Sequence, residues 1–359
     1  MNQRRIIVGT ILSIAFIYFI IWIPQPLGWL QGELNFTQAL FGRARIDFNA
    51  LINSLLQVRL LPLFLAFLVT PAHCLIRAHR WKTIVKPLGR LGLFDGFGII
   101  VVGYFVNTIL PLRVGEIARG VLLGKRLNIS KSSGLGSVAF DRALDVCALL
   151  IVVAITGFLF RLPDEVRQAS RVLLVIVLFI IVILAYLIIH GDSISALVKK
   201  LLTPLPRKTR NFLVATLDNF ISGFASLKTP GSYSTIIIDS ILIWLLYAAQ
   251  VILVLFAFNF YQLYPLIQMS SILSAFVIVI ASAIVLSVPS APAGIGTFHA
   301  GIIFSLALFD VGIDEATGFA IIIHAITIIF YLVFGSIFMW HEGLKLGQLQ
   351  KIKEDPTEV

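Results

Sequence analysis

Long apolar runs dominate this amino-acid sequence and limit the folds open to it. Only 13% of the 359 residues are charged and the mean hydropathy is +0.98, values that no soluble domain of this length tolerates. An α-helix needs about 18 or more apolar residues to cross the ~30 Å hydrocarbon core of a bilayer. The runs of this length are residues 6–23, 60–79, 135–160, 172–189, 233–258 and 318–340. The sequence therefore predicts an all-α polytopic membrane protein with about six spanning helices.

The first run, residues 6–23, follows Arg4 and Arg5 and is interpreted as a spanning helix. Its length suits a span, and no cleavage motif of small residues follows it. A removable signal peptide is therefore not expected.

A further apolar stretch, residues 94–112, contains three glycines, Asn107 and Pro111. A single crossing would put the basic residues of 77–90 and those of 113–131 on opposite sides of the membrane. Because basic loops collect on the cytoplasmic side, we expect this stretch to enter and return as a re-entrant hairpin.

A second interrupted stretch, residues 269–309, carries no fixed charge and breaks at a cluster of prolines and glycines. Non-helical backbone at membrane depth is tolerated only where it is buried in protein or lines a cavity. We interpret this stretch as a second re-entrant hairpin. The residues assigned to backbone breaks or gating are Pro111 and Gly115 in the first hairpin and Pro289, Pro292, Gly294, Gly296 and His299 in the second.

Basic residues at the segment ends set the predicted orientation. They account for the formal net charge of +10, and the positive-inside rule places both termini in the cytoplasm. Nucleic-acid binding is therefore excluded. One hairpin would dip in from the cytoplasm and the other from the opposite face, an arrangement similar to many secondary transporters. We predict one transmembrane domain over residues 1–345 and a short cytoplasmic tail at 346–359, in the inner (plasma) membrane.

Charged residues of both signs cluster within this apolar chain and give the strongest indication of function. An ionisable side chain at membrane depth costs at least about 2.5 kcal/mol unless it is paired or lines a wet cavity. The spacing places the cluster on two helix faces that can meet, and planar arginine binds phosphate in bidentate fashion. The predicted headgroup site comprises Asn107, Arg113, Glu116, Arg119, Asp141, Arg142 and Asp145.

Other interpretations of the intramembrane charges stay open. The cluster could set topology and form an ion-pair lock, that is, a set of salt bridges that joins helices without any ligand. Asp239, alone in an apolar span, is expected to pair with one of the arginines, to face a wet cavity or to lie near the inner headgroups. Arg77 is expected to extend its side chain to the headgroups.

Signatures of enzymes and metal sites are weak. No nucleophile elbow, Walker A loop or HExxH motif occurs in the sequence. The histidines and the two cysteines, Cys74 and Cys147, are too scattered to indicate a metal site, and each cysteine is interpreted as a packing residue. We therefore expect neither a cofactor nor a catalytic role.

The charged motif carries a resemblance to a known family. The matching residues are Arg80, Trp81, Lys82, Asn107, Leu110, Pro111, Arg113, Gly115, Glu116, Arg119, Asp141, Arg142 and Asp145, with the run Pro292, Ala293, Gly294, Ile295 and Gly296. Over residues 60–340 the chain resembles the lysylphosphatidylglycerol synthase transmembrane family, also called flippase-like. The resemblance implies an all-helical lipid-handling domain, because fused relatives move aminoacylated phosphatidylglycerol from the inner to the outer leaflet.

Two departures from the family pattern shape the expected substrate. The chain ends about twenty residues after the last predicted span, with no soluble aminoacyl-transferring domain, so lysyl transfer is not expected. Fused relatives tend to carry a glutamate after the second glycine motif, where this chain has Thr297, Phe298 and His299. A titratable imidazole thus replaces a fixed negative charge. A plain anionic or polyprenyl-phosphate lipid is then at least as reasonable as a cationic one.

The leading hypothesis is a translocator of phosphate-headed lipids. Asn107 and the first hairpin would form the headgroup cavity, the arginines would neutralise the phosphate, the carboxylates would orient the arginines, and the second hairpin would gate the outer side. The rivals are a membrane transferase that uses Glu116 or Asp141 as a base, and a non-catalytic partner of a separate synthase or glycosyltransferase. Each of these three hypotheses is compatible with a homo-oligomer.

Overall fold

The computed structural model describes residues 46–110, 113–159, 232–287 and 291–341, with isolated positions elsewhere. The predicted spans at 6–23 and 172–189 lie almost wholly outside the described residues. Trp22–Ile23 (β1) pairs with Arg43–Ala44 (β2) in a two-residue antiparallel ladder. The last two residues of the predicted first span are therefore extended rather than helical.

Helices account for most of the described residues. The first, α1 (Phe48–Leu56), is capped by Asp47, whose carboxylate accepts hydrogen bonds from the backbone N–H groups of Asn49 and Ala50. The others are α2 (Leu60–Val85), α3 (Leu93–Ile109), α4 (Val114–Leu127), α5 (Lys131–Leu159), α6 (Ser232–Ala257), the short α7 (Phe260–Leu263) and α8 (Pro265–Met269), α9 (Ser271–Ser287), α10 (Thr297–Ala307) and α11 (Ile313–His341).

Three of the described helices, α2, α6 and α11, are long and apolar enough to cross a membrane. They cover the predicted spans at 60–79, 233–258 and 318–340, which confirms an all-α membrane protein. The predicted span at 135–160 is also one continuous helix, the 29-residue α5. Its first half carries Lys131, Asp141, Arg142 and Asp145. The total number of spans stays a prediction.

The chain forms two compact units. The first unit comprises residues 1–71, 107–113 and 247–333, and the second comprises 72–106, 114–246 and 334–359. The single transmembrane domain expected over 1–345 stays a prediction, and the tail at 346–359 lies outside the described residues.

In the second unit, α4 and α5 approach closely because two glycines face each other. A Cβ atom added at Gly134 would lie 2.1 Å from the carbonyl oxygen of Gly120, a distance that no side chain can occupy. Asn128 ends α4 in the left-handed conformation (φ 55°) that commonly follows a helix. Small residues let helix backbones come together in this way, and the contact fixes the crossing of the two helices that carry the charges.

The first predicted hairpin differs from the expectation for residues 94–112. Its glycines do not interrupt α3, which is a continuous helix of 17 residues ending at Ile109. The break follows at residues 110–113, where Pro111 lies outside the described residues, and α4 begins at Val114. Residues 94–109 therefore do not fold back on themselves, and the re-entrant placement of the stretch stays a prediction.

The second predicted hairpin, residues 269–309, has its helices and its turn where the sequence placed them. Helices α9 and α10 pack together, and a Cβ atom added at Gly301 of α10 would lie 2.7 Å from a methyl carbon of Val285 of α9. Between them lies the 3-10 turn Pro292–Gly294, with left-handed backbone at Ala293 (φ 58°). The re-entrant placement of this hairpin stays a prediction.

The glycine contact between α4 and α5 predicts that Gly134→Ala is strongly destabilising. The added methyl group meets backbone rather than a movable side chain, so we expect a loss of at least about 1–3 kcal/mol, as for overpacking in protein cores. Thermal unfolding of the purified protein in detergent measures the effect. Gly96→Ala in α3 is the matched control, because its Cβ would meet the Leu91 side chain at 3.3 Å and would lie at ordinary contact distance, 3.6 Å or more, from Ala78. Equal melting temperatures for the two variants would contradict the interpretation.

Candidate functional site

A network of buried charges joins three helices of the second unit. Helix α2 supplies two arginines, α4 supplies an arginine and a glutamate, and α5 supplies an arginine and two aspartates. The members are Arg77, Arg80, Glu116, Arg119, Asp141, Arg142 and Asp145. Five of the seven predicted headgroup residues are therefore close together, and two arginines join them that the sequence analysis did not place in the site.

Arg80 and Asp141 form the centre of the network. Arg80 is fully buried, and its Nη2 lies 2.7 Å from Asp141 Oδ1 and 2.6 Å from Asp145 Oδ1. Its Nε donates to Asp141 Oδ1 at 3.2 Å, and its Nη1 donates to the hydroxyl of Ser240 on α6 at 3.0 Å. These contacts satisfy each nitrogen of the guanidinium, so this residue has a structural role.

Arg77 also lies inside the network, so the expectation that it extends to the headgroups is wrong. Its Nη1 donates to Asp145 Oδ2 at 2.9 Å and lies 3.8 Å from Asp141 Oδ2. Arg77 and Arg80 are three residues apart on one face of α2, opposite the face of α5 that carries Asp141 and Asp145. The spacing in the sequence puts both arginines on one face of α2, but it does not indicate which helix that face meets.

Arg119 is buried but only partly satisfied. Its side chain is 2% exposed, its Nη2 donates to Asp141 Oδ2 at 3.1 Å, and its guanidinium lies 4.6 Å from the centre of the Trp81 ring. Gly103 of α3 makes the space, because a Cβ atom there would lie 2.5 Å from Arg119 Cγ. Its Nε and Nη1 have no hydrogen-bond partner among the residues that the structure describes. Buried donors without acceptors are rare in folded proteins.

The outer part of the network is half-buried. Arg142 Nη1 donates to Asp145 Oδ2 at 3.1 Å, and its Nε lies 3.2 Å from Glu116 Oε1, an ion pair without hydrogen-bond alignment. The side chains of Arg142 and Glu116 are 25% and 26% exposed. The network therefore has a closed interior around Arg80 and Asp141 and an accessible rim at Arg142 and Glu116.

The network carries an excess of positive charge. Four guanidinium groups face three carboxylates, and each aspartate is shared between at least three arginines. Such an arrangement attracts an additional anion, because planar guanidinium groups bind carboxylate and phosphate oxygens strongly.

The other two predicted headgroup residues, Asn107 and Arg113, belong to the first unit. Arg113 has left-handed backbone (φ 55°) and donates from Nη2 to the carbonyl of Leu286 at the end of α9. Gly115, assigned to a backbone break, lies within the first turn of α4, and the left-handed backbone occurs at Arg113 instead. The carbonyl oxygen of Gly115 lies 3.1 Å from where Cβ would stand on Gly103, so the two helix backbones approach closely there.

One expectation for Asp239 was a salt bridge with an arginine. Its partner is a histidine instead. Its Oδ2 lies 2.8 Å from Nδ1 of His79 on α2, and the carboxylate is almost fully buried. The histidine side chain is 47% exposed. The next residue, Ser240, makes the contact with Arg80. Helix α6 is therefore attached to α2 at two successive positions.

The turn of the second hairpin is held by a histidine of α11. His324 Nε2 donates to the carbonyl of Ala293 at 3.0 Å, and its ring stacks on Phe298 with centroids 4.5 Å apart. The ring of His299 lies 4.9 Å from that of His324. Pro292, Gly294 and Gly296 form the turn, with positive φ at both glycines, and Pro289 lies outside the described residues. A gating role for this turn stays a prediction.

No group of three or more potential metal ligands occurs within the described ranges. Cys74 is buried, Cys147 is half-buried, and neither is in a disulfide.

The fold and the charges define an all-helical membrane protein with a network of buried and half-buried ion pairs. The chain belongs to the family described as the lysylphosphatidylglycerol synthase TM region, whose model matches residues 6–335. This confirms the resemblance found in the sequence.

Relatives in the archaeon Methanocaldococcus jannaschii are also described only as membrane proteins. The UPF0104 membrane protein MJ1078 is 26% identical over 239 residues, which cover 66% of this chain and 93% of that protein. The UPF0104 membrane protein MJ1595 is 29% identical over 135 residues, which cover 35% of this chain and 40% of that protein.

The network predicts that Asp141→Asn is far more damaging than Glu116→Gln. Without the Asp141 charge, the buried Arg80 and Arg119 lose a carboxylate that both contact, and removal of one partner of a buried pair typically costs about 3–5 kcal/mol. Glu116 lies at the accessible rim, where water can replace it, so its substitution should cost about 1 kcal/mol or less. Melting temperatures and monodispersity in detergent measure both effects. Similar stability of the two variants would show that the interior is not a structural ion-pair lock.

Proposed function

We propose that this protein translocates a phosphate-headed lipid between the two leaflets of its membrane, as a transporter and not as an enzyme. A charged headgroup crosses hydrocarbon slowly because its polar groups lose their water. A polar site within the protein lowers that barrier by replacing the lost hydration. The family supports a lipid-handling role, and the charge network supports an anionic headgroup.

The observation that carries the proposal is the unsatisfied side of Arg119. Two buried N–H-bearing nitrogens of this guanidinium have no acceptor among the described residues, in a network that already carries more positive than negative charge. The oxygens of a phosphate would satisfy them. Arg142 at the accessible rim would make the first contact with such a group.

The proposal divides the network into two roles. Arg77, Arg80 and Asp141 form the ion-pair lock that keeps α2 and α5 together. Arg119 and Arg142 bind the phosphate, and the carboxylates of Glu116, Asp141 and Asp145 orient them. The two interpretations of the charges are therefore compatible, because they apply to different arginines.

The excess positive charge favours an anionic lipid over a cationic aminoacyl lipid. A headgroup with an additional ammonium group would be repelled by four guanidinium groups unless a free carboxylate met it. The three carboxylates of the network are already engaged by arginines. Phosphatidylglycerol and polyprenyl phosphates are the substrates that fit this charge.

Gating is assigned to the two turns that interrupt helices. Arg113 links the first turn to the end of α9, and His324 holds the turn that follows α9. Movement of these turns would open and close the route of the headgroup. The inner membrane location, with both termini in the cytoplasm, is inferred from the distribution of basic residues.

Asp141 is poorly suited to the rival role of a catalytic base. It is fully buried and accepts hydrogen bonds from Arg80 and Arg119, which stabilise its charged form and occupy its oxygens. Glu116 is accessible, so the transferase hypothesis would depend on it. Recovery of a chemically altered lipid from vesicles that contain the protein would favour that hypothesis.

A partner role for a separate synthase or glycosyltransferase would require no lipid movement by this chain alone.

Reconstitution into vesicles with fluorescent phosphatidylglycerol or a fluorescent polyprenyl phosphate tests the proposal. The wild-type protein should accelerate access of a membrane-impermeant quencher to inner-leaflet lipid. Arg119→Gln should lower the rate about tenfold or more, since a hydrogen bond to a charged group contributes about 1.5–3 kcal/mol. Arg119→Lys keeps the charge but not the fork of donors, so an intermediate rate is expected.

Two control variants separate transport from folding. Lys125→Gln removes an exposed charge outside the network and should leave the rate unchanged. Arg80→Gln removes the centre of the ion-pair network and should lower the melting temperature of the protein. Any loss of transport in this variant should therefore accompany a loss of stability. Absence of acceleration by the wild-type protein, for every anionic and prenyl-phosphate lipid tried, would contradict the proposal.

A further inference from the structure

A groove lies in the second unit, apart from the charge network. Its volume is about 670 Å³, within the range of small-molecule sites. The last turn of α2, the connection that follows it and the first turn of α6 line the groove. The lining residues that bear on its chemistry are Lys82, Lys86, Arg90, Ser232 and Thr235.

The groove is strongly basic. Lys82, Lys86 and Arg90 are all exposed, and none of them has a carboxylate partner within the part of the chain that the structure describes. The nearby carboxylate of Asp95 is engaged by Arg126 of α4. Three cations around one concave surface attract an anion more strongly than the same charges spread over a surface.

The backbone at the groove adds to this attraction. Helix α6 begins at Ser232, where the first N–H groups of a helix have no intrahelical acceptor and the helix dipole is positive. Phosphate groups bind readily at such positions. The hydroxyl-bearing residues Ser232 and Thr235 both line the groove.

Large apolar side chains that neighbour the lining residues in sequence are exposed. Phe94 follows Gly92 of the groove by two residues and is 75% exposed, and Tyr233 and Ile237 next to the α6 lining residues are 43% and 58% exposed. A soluble phosphate compound has no apolar part that could contact these side chains. An amphiphile with a phosphate headgroup and acyl chains matches both the basic lining residues and the apolar side chains that neighbour them in sequence.

We propose that this groove binds the phosphate headgroup of an anionic membrane lipid, as a site separate from the buried network. The site does not depend on translocation. Lys82 and Arg80 are two residues apart on α2, so Lys82 faces the groove while Arg80 faces the network. A lipid held in the groove would keep an anionic headgroup at the same end of α2 as the network.

Native mass spectrometry of the full-length protein in detergent tests the site. Short-chain phosphatidic acid is titrated against the wild type, the double variant K82Q/K86Q and the control double variant K125Q/K200Q. Each double variant removes two exposed lysines, so the total charge lost is equal. We expect about thirtyfold weaker binding in K82Q/K86Q, because each basic residue near an anionic headgroup contributes a factor of about five. The control should bind within twofold of the wild type.

Further measurements distinguish the source of the phosphate. Short-chain phosphatidylcholine, which carries no net charge, should not discriminate between the two double variants. Glycerol 3-phosphate should compete only at concentrations far above those of phosphatidic acid. Equal weakening in both double variants would overturn the site. Competition by glycerol 3-phosphate at the same concentration as the lipid would overturn the assignment to a lipid. Circular dichroism and gel filtration of each variant verify folding.

Discussion

The contact between the guanidinium of Arg80 and the carboxylate of Asp141 supports the rest of the second unit. Both groups are buried, and Asp141 also lies within 4 Å of Arg77 and Arg119. A buried charge that loses its partner costs several kcal/mol, so α2, α4 and α5 can hold their charges only while all three stay together. The glycine contact between α4 and α5 makes this possible, because it brings the charged faces within reach of one another.

A closed interior and an accessible rim give one network two properties that the proposed transport site would need. The interior fixes the positions of the helices, so the guanidinium of Arg119 is held in place before any ligand arrives. Preorganised donors bind a charged group without the cost of first ordering themselves. Arg142 can exchange one carboxylate for a ligand, because Asp145 keeps Arg77 and Arg80 as partners.

The sequence was sufficient where periodicity or composition determines structure. Apolar runs located α2, α6 and α11, the proline and glycine cluster located the turn before α10, and spacings of three and four residues grouped Asp141 with Asp145. It was insufficient where a partner comes from a distant helix. An arginine at the end of an apolar run has the same pattern whether it meets lipid headgroups or a buried aspartate, so Arg77 was misplaced. Asp239 pairs with a histidine 160 residues away, which no local pattern indicates.

The bond from Arg113 to Leu286 has a mechanical consequence for the first unit. Carbonyl groups in the last turn of a helix lack partners within that helix, and this arginine supplies one for α9. If the segment that carries Arg113 moves away, the end of α9 loses its cap and is freed to unwind. Displacement of the segment that carries Arg113 would therefore loosen the end of α9, so the two turns to which we assign gating would be mechanically coupled.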